Sequence, residues 1–335
     1  MVAALIERFS RHVHALWPGA NLLAIAPFLG WFTWTVVISG ERRFELFLIT
    51  AACLILSLTS ARTKKLFLGL YPIGLLALVY DSMRYWKSIG VTAERVHICD
   101  LRSIDMSILS VDLGNGARGS IHDWFLVHHA TVLDVICAIP YGTFIYVDIA
   151  FAVFLYTRDY KAMQRFGWTF LLLNIAGFTT YHIYPAAPPW YFHAHGCVVD
   201  LTAHASEGPR LAHVDALMNW KYFAGFYGRS NDVFGAVPSL HVSYPLLVIL
   251  YGWRYFRAPL RIASAIFFSV MCFAAVYLDH HWVFDVLLAI GYTLAVHNVV
   301  RIVWNRISPA PASNATIRSN AKNVVALSTA GSHGA

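Results

Sequence analysis

The chain has 335 residues, of which 58% are hydrophobic and 13% are charged. A soluble globular domain carries about 25% charged residues, so this composition excludes an ordinary soluble protein and indicates several membrane segments of about 20 apolar residues. The net charge of +7 does not indicate nucleic-acid binding, because the basic residues lie at the ends of apolar segments and form no stripe with interleaved aromatics.

The first residues, 1–19, are too polar before Trp17 to be the apolar core of a signal peptide, and they predict a short amphipathic lead-in. Eight apolar segments follow and predict about eight transmembrane helices in an all-α integral membrane protein, the second and third being the shortest. Their predicted bounds are 20–39, 45–60, 66–81, 134–157, 167–184, 237–253, 262–279 and 283–303.

We expect three regions along the chain. Residues 1–65 hold the lead-in and two peripheral transmembrane helices. Residues 66–304 form the main transmembrane bundle from the last six helices, with two long external loops at 82–133 and 185–236. Residues 305–335 are rich in Ala, Ser and Asn, which predicts a disordered tail.

The short basic loops predict the orientation. With eight spans, the basic loops at 61–65, 158–166 and 254–261 lie on the same side as both termini. The positive-inside rule makes that side cytoplasmic and places the two long loops in the lumen, the periplasm or outside the cell. Arg42 and Arg43 oppose this orientation, but the later loops agree with it.

The cysteines and the loop histidines give weaker signals. Cys99 and Cys197 fall in the two long loops on the same side, which permits a disulfide, although loop cysteines are as often free. No two cysteines have metal-ligand spacing. Asp123 with the histidines at 122, 128 and 129 is too loosely spaced to favour a metal site, so we expect no metal and no cofactor.

The first motif that carries chemistry is Gly235-Ala-Val-Pro238-Ser239-Leu240-His241, where a loop enters the sixth span. Pro238 suits the first turn of a helix, because its missing N–H has no partner there. Ser239 and the backbone N–H groups of that turn are then expected to face an anion, and His241 to point at the same site.

The second motif is Asp279-His280-His281-Trp-Val-Phe-Asp285, at the turn between the last two spans. On a helix, His281 and Asp285 would share a face, so the carboxylate could fix the imidazole tautomer and leave the other nitrogen free to attack. Either motif alone arises often by chance. Both lie at external helix ends, with His241 and His281 40 residues apart, and this joint placement predicts a catalytic site.

Together these motifs resemble the active site of the type 2 phosphatidic acid phosphatase superfamily. The resemblance implies that His281 takes the phosphoryl group as phosphohistidine and that Asp285 orients it. It also implies that His241 protonates the leaving oxygen and then deprotonates the acceptor, while Ser239, beside Pro238, holds phosphate oxygens. No metal is needed, because helix N-termini and basic side chains can stabilise the developing charge.

The chain departs from the phosphatases of that superfamily at two places. It contains no Arg-Pro dipeptide, so the usual Lys-x6-Arg-Pro motif is missing, and Ala274-Ala275 stands where the phosphatases have Ser-Arg. Two phosphate-binding cations are therefore absent from their usual places, which argues against a plain phosphatase.

The sequence is more similar to the inositol phosphorylceramide synthase branch, over about residues 66–300. That similarity lies in the Asp-His-His turn with its preceding Tyr277-Leu278, in a Tyr-Pro-x2-Pro-Pro-Trp element ending at Trp190, and in an Asp-x2-Arg pair ending at Arg84.

Weaker candidates for substrate binding complete the site. Arg84, Lys221 and Arg229 are candidates to replace the missing phosphate cations, Trp190 is a candidate interfacial anchor, and His280 neighbours the nucleophile.

The resemblance implies a membrane phosphotransferase that moves an inositol phosphate head group from phosphatidylinositol to a lipid hydroxyl such as that of ceramide. Three alternatives stay open at this point. A lipid phosphate or pyrophosphate phosphatase would use the same histidines with water as acceptor. A transferase for another head group or for a polyprenyl carrier would differ in its donor. A non-enzymatic transporter would place charged residues at mid-span, whereas the candidates here lie at span ends.

Overall fold

The computed structural model describes residues 2–307 except 115, 229 and 231. In this part of the chain fourteen α-helices account for most residues, and the two strands form one antiparallel hairpin. The elements are α1 Val2–Leu16, α2 Ala26–Phe32, α3 Phe44–Leu58, α4 Ala61–Trp86, α5 Cys99–Ile108, β1 Ser110–Gly114, β2 Ala117–Ser120, α6 Ile121–Val127, α7 Thr131–Arg158, α8 Tyr160–Ile183, α9 Pro189–His195, α10 Gly208–Leu217, α11 Tyr222–Tyr227, α12 Leu240–Gly252, α13 Ala258–Tyr277 and α14 Val283–Ile307.

Helices occupy all eight segments that the sequence predicts to span the membrane, and the all-α membrane class is confirmed. Five segments are both long and apolar enough to cross a membrane: Asn21–Ile38, which includes α2, and the helices α4, α7, α13 and α14. The helices α3 and α12 are apolar but shorter, and α8 has 24 residues with a more polar sequence. The count of eight therefore stays a prediction.

The third predicted span is longer than its apolar core. Helix α4 has 26 residues rather than the short segment expected, because it begins inside the basic loop. Ser60 caps its N-terminus: the Ser60 hydroxyl accepts the backbone N–H of Thr63, and the Thr63 hydroxyl accepts that of Ser60. The helix also continues beyond the apolar stretch to include Arg84.

Six helices, α4, α7, α8, α12, α13 and α14, pack into one bundle around a common apolar core. Helix α12 lies at its centre, in contact with α7, α8, α13 and α14. Helices α2 and α3 pack against α4 from outside, around a separate small core that includes Phe28, Cys53 and Phe67. The bundle thus leaves α12 with its N-terminus among the loops that follow α4 and α8.

Those loops are more structured than the sequence suggests. The first holds α5, the β-hairpin and α6, and the second holds α9, α10 and α11. Cys99 and Cys197 form a disulfide between the two, with their Cα atoms 5.6 Å apart. Parallel bridges also join His97 to Ala186 and Ala186 to Gly235. These links fix the segments on which the histidine motifs lie.

Candidate active site

His241 and His281 are in contact at the end of the bundle where these loops gather. His241 Nδ1 is 3.1 Å from His281 Nε2, and His281 Nδ1 is 2.9 Å from the carbonyl oxygen of Ala236. Because a carbonyl only accepts, His281 carries its proton on Nδ1, and its Nε2 lone pair accepts the N–H of His241. The hydroxyl of Tyr227 donates to the carbonyl of Tyr141 and lies 3.3 Å from His241 Nε2. The hydrogen bonds therefore assign Nε2 of His281 as the nucleophilic atom.

The histidines of the turn between α13 and α14 are buried and neutral. Burial lowers the pKa of His281 to about 4, and burial likewise lowers the pKa of His280 to about 4. His280 donates Nε2–H to the carbonyl of Glu207 at 2.6 Å and packs against the rings of Tyr141 and Tyr227. A neutral imidazole at position 281 is the form that can attack phosphorus.

Asp285 contacts His281 differently from the prediction. Helix α14 begins at Val283, so His281 precedes the helix and the two residues do not share a helical face. Asp285 Oδ2 is 3.6 Å from His281 Nδ1 and accepts the backbone N–H of Trp282 at 2.9 Å. The carboxyl group thus caps the start of α14 and lies beside the imidazole.

The Pro-Ser pair before His241 also differs from the expectation. Ser239 is the N-cap of α12, and its fully buried hydroxyl accepts the backbone N–H of Val242 at 3.5 Å. Pro238 precedes this cap instead of standing in the first helical turn, and its carbonyl accepts the hydroxyl of Tyr181 at 2.9 Å. Both residues therefore hold the start of α12, and with it His241, in place. Neither residue lines the cavity that His241 faces.

Asp279 shapes the turn that carries His281. Helix α13 ends in a Schellman motif, in which the N–H of His280 bonds to the carbonyl of Ala275 and the N–H of Asp279 to that of Val276. Asp279 has φ of +70°, a left-handed conformation that usually selects Gly at this position. Asp is one of the few residues other than Gly that adopt this conformation readily.

The Asp279 carboxylate anchors a buried network between the turn and both external loops. His193 Nδ1 donates to Asp279 at 2.6 Å, and His122 Nδ1 donates to it at 3.1 Å. His193 Nε2 donates to Asp123 at 3.2 Å, and Arg102 donates to both oxygens of Asp123. The network ties α13 to helices α5, α6 and α9.

Burial disfavours both charged forms in this network, but the hydrogen bonds outweigh it. Bonds to Asp123 and Asp279 raise the pKa of His193 to about 9. Bonds from His122 and His193 lower the pKa of Asp279 to about 2. At neutral pH a His193 cation therefore lies between two carboxylates.

The Tyr-Pro-x2-Pro-Pro-Trp element connects the two histidine motifs. The N–H of Ala236 donates to the carbonyl of Ala186, and the N–H of Trp190 donates to the carbonyl of Asp279. The indole of Trp282 donates to the carbonyl of Ala187 at 2.9 Å. This segment therefore bonds both to Ala236, whose carbonyl accepts from His281, and to the turn that contains His281. It fixes the distance between the two.

A cavity of about 840 Å³ opens in front of the histidines. His241, His280 and His281 line it together with Trp190 and Lys221. Its outer part is polar, whereas its deeper part runs between α4, α7, α8 and α12 and is mostly apolar. A space of this size and polarity fits the polar head and the upper chains of a lipid.

The three basic residues that the sequence suggests for phosphate binding differ in their distance from the cavity. Lys221 is the only Lys or Arg among the described residues that line the cavity. Arg84 forms an ion pair with Asp81 at 2.6 Å and does not line the cavity. Arg229 lies outside the described residues.

Several residues around the site have no role in the sequence-based prediction. Asp279, His193 and Tyr227 contact the histidines or hold their turn. Arg210 is buried, with its guanidinium 5.0 Å from the ring of Tyr277. The one available signal was an Asp at a helix-ending position where Gly is usual.

The loop histidines form no metal site in the part of the chain that the structure describes. No group of three or more His, Cys, Asp or Glu side chains there is arranged to hold a metal ion. His122, expected in a loose group with Asp123, instead bonds to Asp279.

The sequence matches the family model of the PAP2 superfamily over residues 110–299, more than half of the chain, and both histidine motifs lie inside the match. The chain therefore belongs to the PAP2 superfamily. Its relatives place it more narrowly, in the branch that resembles the inositol phosphorylceramide synthases, and both this placement and the phosphotransferase class are confirmed.

The relatives differ in how much of their length the chain covers. It is 33% identical over 257 residues to the phosphoinositol dihydroceramide synthase of Bacteroides thetaiotaomicron, which is 75% of this chain and 82% of that protein. It is 30% identical over 162 residues to the inositol phosphorylceramide synthase of Candida albicans, which is 47% of this chain and 33% of that protein. With an inositol phosphorylceramide synthase catalytic subunit of Schizosaccharomyces pombe it shares 28% identity over 169 residues, 50% of this chain and 39% of that protein. No solved structure matches the chain significantly.

Proposed function

We propose that this enzyme transfers inositol phosphate from phosphatidylinositol to the primary hydroxyl of a ceramide or dihydroceramide, with His281 as the nucleophile. The observation that carries the proposal is the hydrogen-bonded pair of His241 and His281 at the polar end of a lipid-sized cavity. The names of the relatives, phosphoinositol dihydroceramide synthase and inositol phosphorylceramide synthase, support the transferred head group and the acceptor class, and the resemblance of the motifs supports phosphatidylinositol as the donor.

In the first step, Nε2 of His281 attacks the phosphorus of phosphatidylinositol. A nitrogen–phosphorus bond forms and the bond from phosphorus to the diacylglycerol oxygen breaks. His241 enters this step as the imidazolium, which the anionic phosphate favours, and donates its Nδ1 proton to that leaving oxygen, so that it becomes a neutral imidazole. The Ala236 carbonyl keeps His281 Nδ1 protonated, and the Asp285 carboxylate stabilises the positive charge that develops on the ring.

In the second step, the ceramide hydroxyl occupies the place that diacylglycerol has left. His241 Nδ1 accepts the hydroxyl proton, the oxygen attacks phosphorus, and the bond to His281 breaks. The product is inositol phosphorylceramide, and both histidines return to their starting protonation states. Two displacements at one nucleophile allow the two lipids to use the same site in turn.

The outer part of the cavity offers groups for the anionic, hydroxyl-rich head group. Lys221 supplies a cation for the phosphate. Leu240 and His241, whose backbone N–H groups at the start of α12 lack partners within the helix, also line the cavity. Asp232 and Ser206 also line this part and can bind inositol hydroxyls. Burial raises the pKa of Asp232 to about 6, so it is an acceptor at neutral pH.

The site is proposed to face the lumen, the periplasm or the cell exterior. The disulfide between Cys99 and Cys197 joins the two loops that cover the site, and disulfides persist in oxidising compartments. The basic loops, such as the one with Arg254 and Arg257, lie at the other end of the same helices, where the positive-inside rule places the cytoplasm.

The test uses purified protein in detergent with a fluorescent ceramide, with and without phosphatidylinositol. We expect a new polar lipid on a thin-layer plate that requires phosphatidylinositol and disappears in His281→Ala. His128→Ala is the matched control, because that exposed imidazole does not line the cavity. Free phosphate released from a lipid monoester, without head-group transfer, would instead identify a phosphatase.

A further inference from the structure

A second polar cluster lies in the deep, apolar part of the cavity. Asp148 of α7, Asn174 of α8 and Tyr244 of α12 all line the cavity there, among aromatic side chains such as Phe166 and Phe170. The reaction steps above make no use of these three polar groups.

Asp148 is the member of the cluster without a partner. The Tyr244 hydroxyl donates to Asn174 Oδ1 at 2.5 Å, and Asn174 Nδ2 donates to the carbonyl of Phe170 at 2.9 Å. Asp148 is only 5% exposed, and its buried Oδ1 has no hydrogen-bond partner among the described residues. A buried polar group that lacks a partner destabilises a protein, so a group of this kind facing a cavity indicates a ligand.

The depth of Asp148 matches the polar region of a lipid. The ring of Phe144 packs against His241, with ring centroids 4.9 Å apart. Asp148 follows Phe144 by one helical turn, which places it about 6 Å deeper along α7. A lipid whose reacting hydroxyl is at His241 would therefore bring groups a few bonds further along its backbone close to Asp148.

We propose that Asp148, with Asn174 and Tyr244, forms a subsite that binds the hydrogen-bond donors of the acceptor lipid, namely its amide N–H and its second hydroxyl. This inference rests on the proposed function, since it explains how the site selects its acceptor. Apart from its reacting hydroxyl, diacylglycerol carries only ester oxygens, which accept hydrogen bonds, so it offers no donor to the accepting oxygen of the Asp148 carboxyl. The subsite therefore favours the amide lipid over the diacylglycerol that has just left.

Acceptor selection has a chemical purpose in a two-step transfer. Diacylglycerol and ceramide both present a primary hydroxyl to the same phosphohistidine, so the return of diacylglycerol would only reverse the first step. A site built to bind substrate donors disfavours an analogue that lacks them, because its own buried acceptor stays unpaired. Among the described residues Asp148 has no hydrogen-bond partner, so its replacement removes the selection without breaking a hydrogen bond of the bundle.

The test measures binding, so it does not depend on turnover. Fluorescent ceramide and fluorescent diacylglycerol of the same chain length are titrated into detergent-solubilised His281→Ala protein, with and without Asp148→Leu. Ile149→Val, a conservative change on the same cavity wall, is the control. We expect His281→Ala protein to bind ceramide at least about tenfold more tightly than diacylglycerol, and Asp148→Leu to abolish this preference through weaker ceramide binding alone.

Equal binding of the two lipids before the Asp148 change, or a preference that persists in Asp148→Leu, would overturn the inference. Melting temperatures of all variants show whether the bundle is intact. Head-group transfer by the protein with His281 intact is measured in parallel with phosphatidylinositol. Absence of transfer there would contradict the proposed function, whereas the binding ratio would still decide whether the subsite exists.

Discussion

His281 donates its Nδ1–H to the main-chain carbonyl of Ala236 at 2.9 Å, whereas the carboxylate of Asp285 is 3.6 Å from the same nitrogen. The backbone therefore fixes the imidazole tautomer, and the Asp285 carboxyl caps α14. We expect the carboxylate to act through its charge once the His281 ring becomes positive in the reaction. Mutating the carboxylate should consequently leave the nucleophile correctly oriented.

Asp285→Asn tests this division of roles. The amide oxygen can still accept the N–H of Trp282, so the variant should fold, and His281 should keep its tautomer. We expect the transfer rate to fall about 10- to 100-fold from the lost charge, well short of the ~10⁴-fold loss caused by a wrong tautomer. A loss as large as that of His281→Ala would show that Asp285 holds the tautomer after all. The measurement is the transfer rate of the wild type, Asp285→Asn and His281→Ala, with circular dichroism as a check on folding. It decides whether Asp285 acts through its charge or holds the tautomer.

His241→Ala should separate the two chemical steps. With phosphatidylinositol as donor we expect a loss of about 10²- to 10⁴-fold, because the leaving oxygen is no longer protonated. An inositol phosphodiester with a nitrophenol leaving group needs no such proton, so the first step should proceed. Transfer to ceramide still needs the base, and the phosphoenzyme should accumulate.

The measurement for this prediction is mass spectrometry of His241→Ala protein after reaction with the nitrophenyl donor. We expect an acid-labile inositol phosphate adduct on His281, accompanied by a burst of nitrophenol. His241→Ala combined with His281→Ala is the control and should give neither. Steady release of nitrophenol without an adduct would argue against a covalent intermediate.

Much of this arrangement could be predicted from the sequence, and the predictions that failed did so for physical reasons. Hydropathy located the apolar segments because the bilayer imposes length and composition. It missed α5, α6 and α9–α11, since these short helices in the polar loops are held by tertiary contacts. The two motifs predicted which histidines meet, because both stand at helix ends on one side.

The local geometry of the motifs was harder to predict. The spacing of His281 and Asp285 suggested one helical face, but Asp279 in the left-handed region ends α13, and α14 begins only at Val283. Asp279 meets His122 across 157 residues of sequence, a separation at which spacing carries no information. An unpaired carboxyl such as that of Asp148 is recognisable only once its surroundings are known.

Asp279→Asn should destabilise the protein and impair catalysis together. Asn tolerates the left-handed backbone of the turn, so the change removes the charge while keeping the conformation. The His193 cation would lose one carboxylate partner in a buried position, which costs about 3–5 kcal/mol when a buried pair is broken. We expect a lower melting temperature and a reduced turnover number, whereas Asp112→Asn in the exposed β-hairpin should change neither. Unchanged stability in Asp279→Asn would mean that the network is not charged.

The same network predicts how stability depends on pH. The pKa of His193 is raised to about 9 in the folded protein from about 6.5, so its contribution is fully present below pH 6.5 and is lost as the pH rises through 9. The contribution is about 3 kcal/mol. His193→Gln cannot carry the charge, so its melting temperature should lie below that of the wild type at pH 6, and the two curves should converge near pH 10. Parallel curves over this range would contradict a protonated His193.

The disulfide between Cys99 and Cys197 offers a test of both stability and orientation. It closes a segment of 98 residues, and in the chain-entropy account a loop of about this length contributes up to about 4–5 kcal/mol. We expect Cys99→Ser with Cys197→Ser to lower the melting temperature while leaving residual transfer activity, because the parallel bridges between the loops remain.

In sealed cells or vesicles, a membrane-impermeant maleimide added from the non-cytoplasmic side should label these two cysteines only after mild reduction. The double Ser variant should give no such signal, since Cys53 and Cys137 are buried and Cys272 lies within α13. Labelling only from the cytoplasmic side would reverse the proposed orientation, because both loops and the histidine site lie at the disulfide end of the bundle.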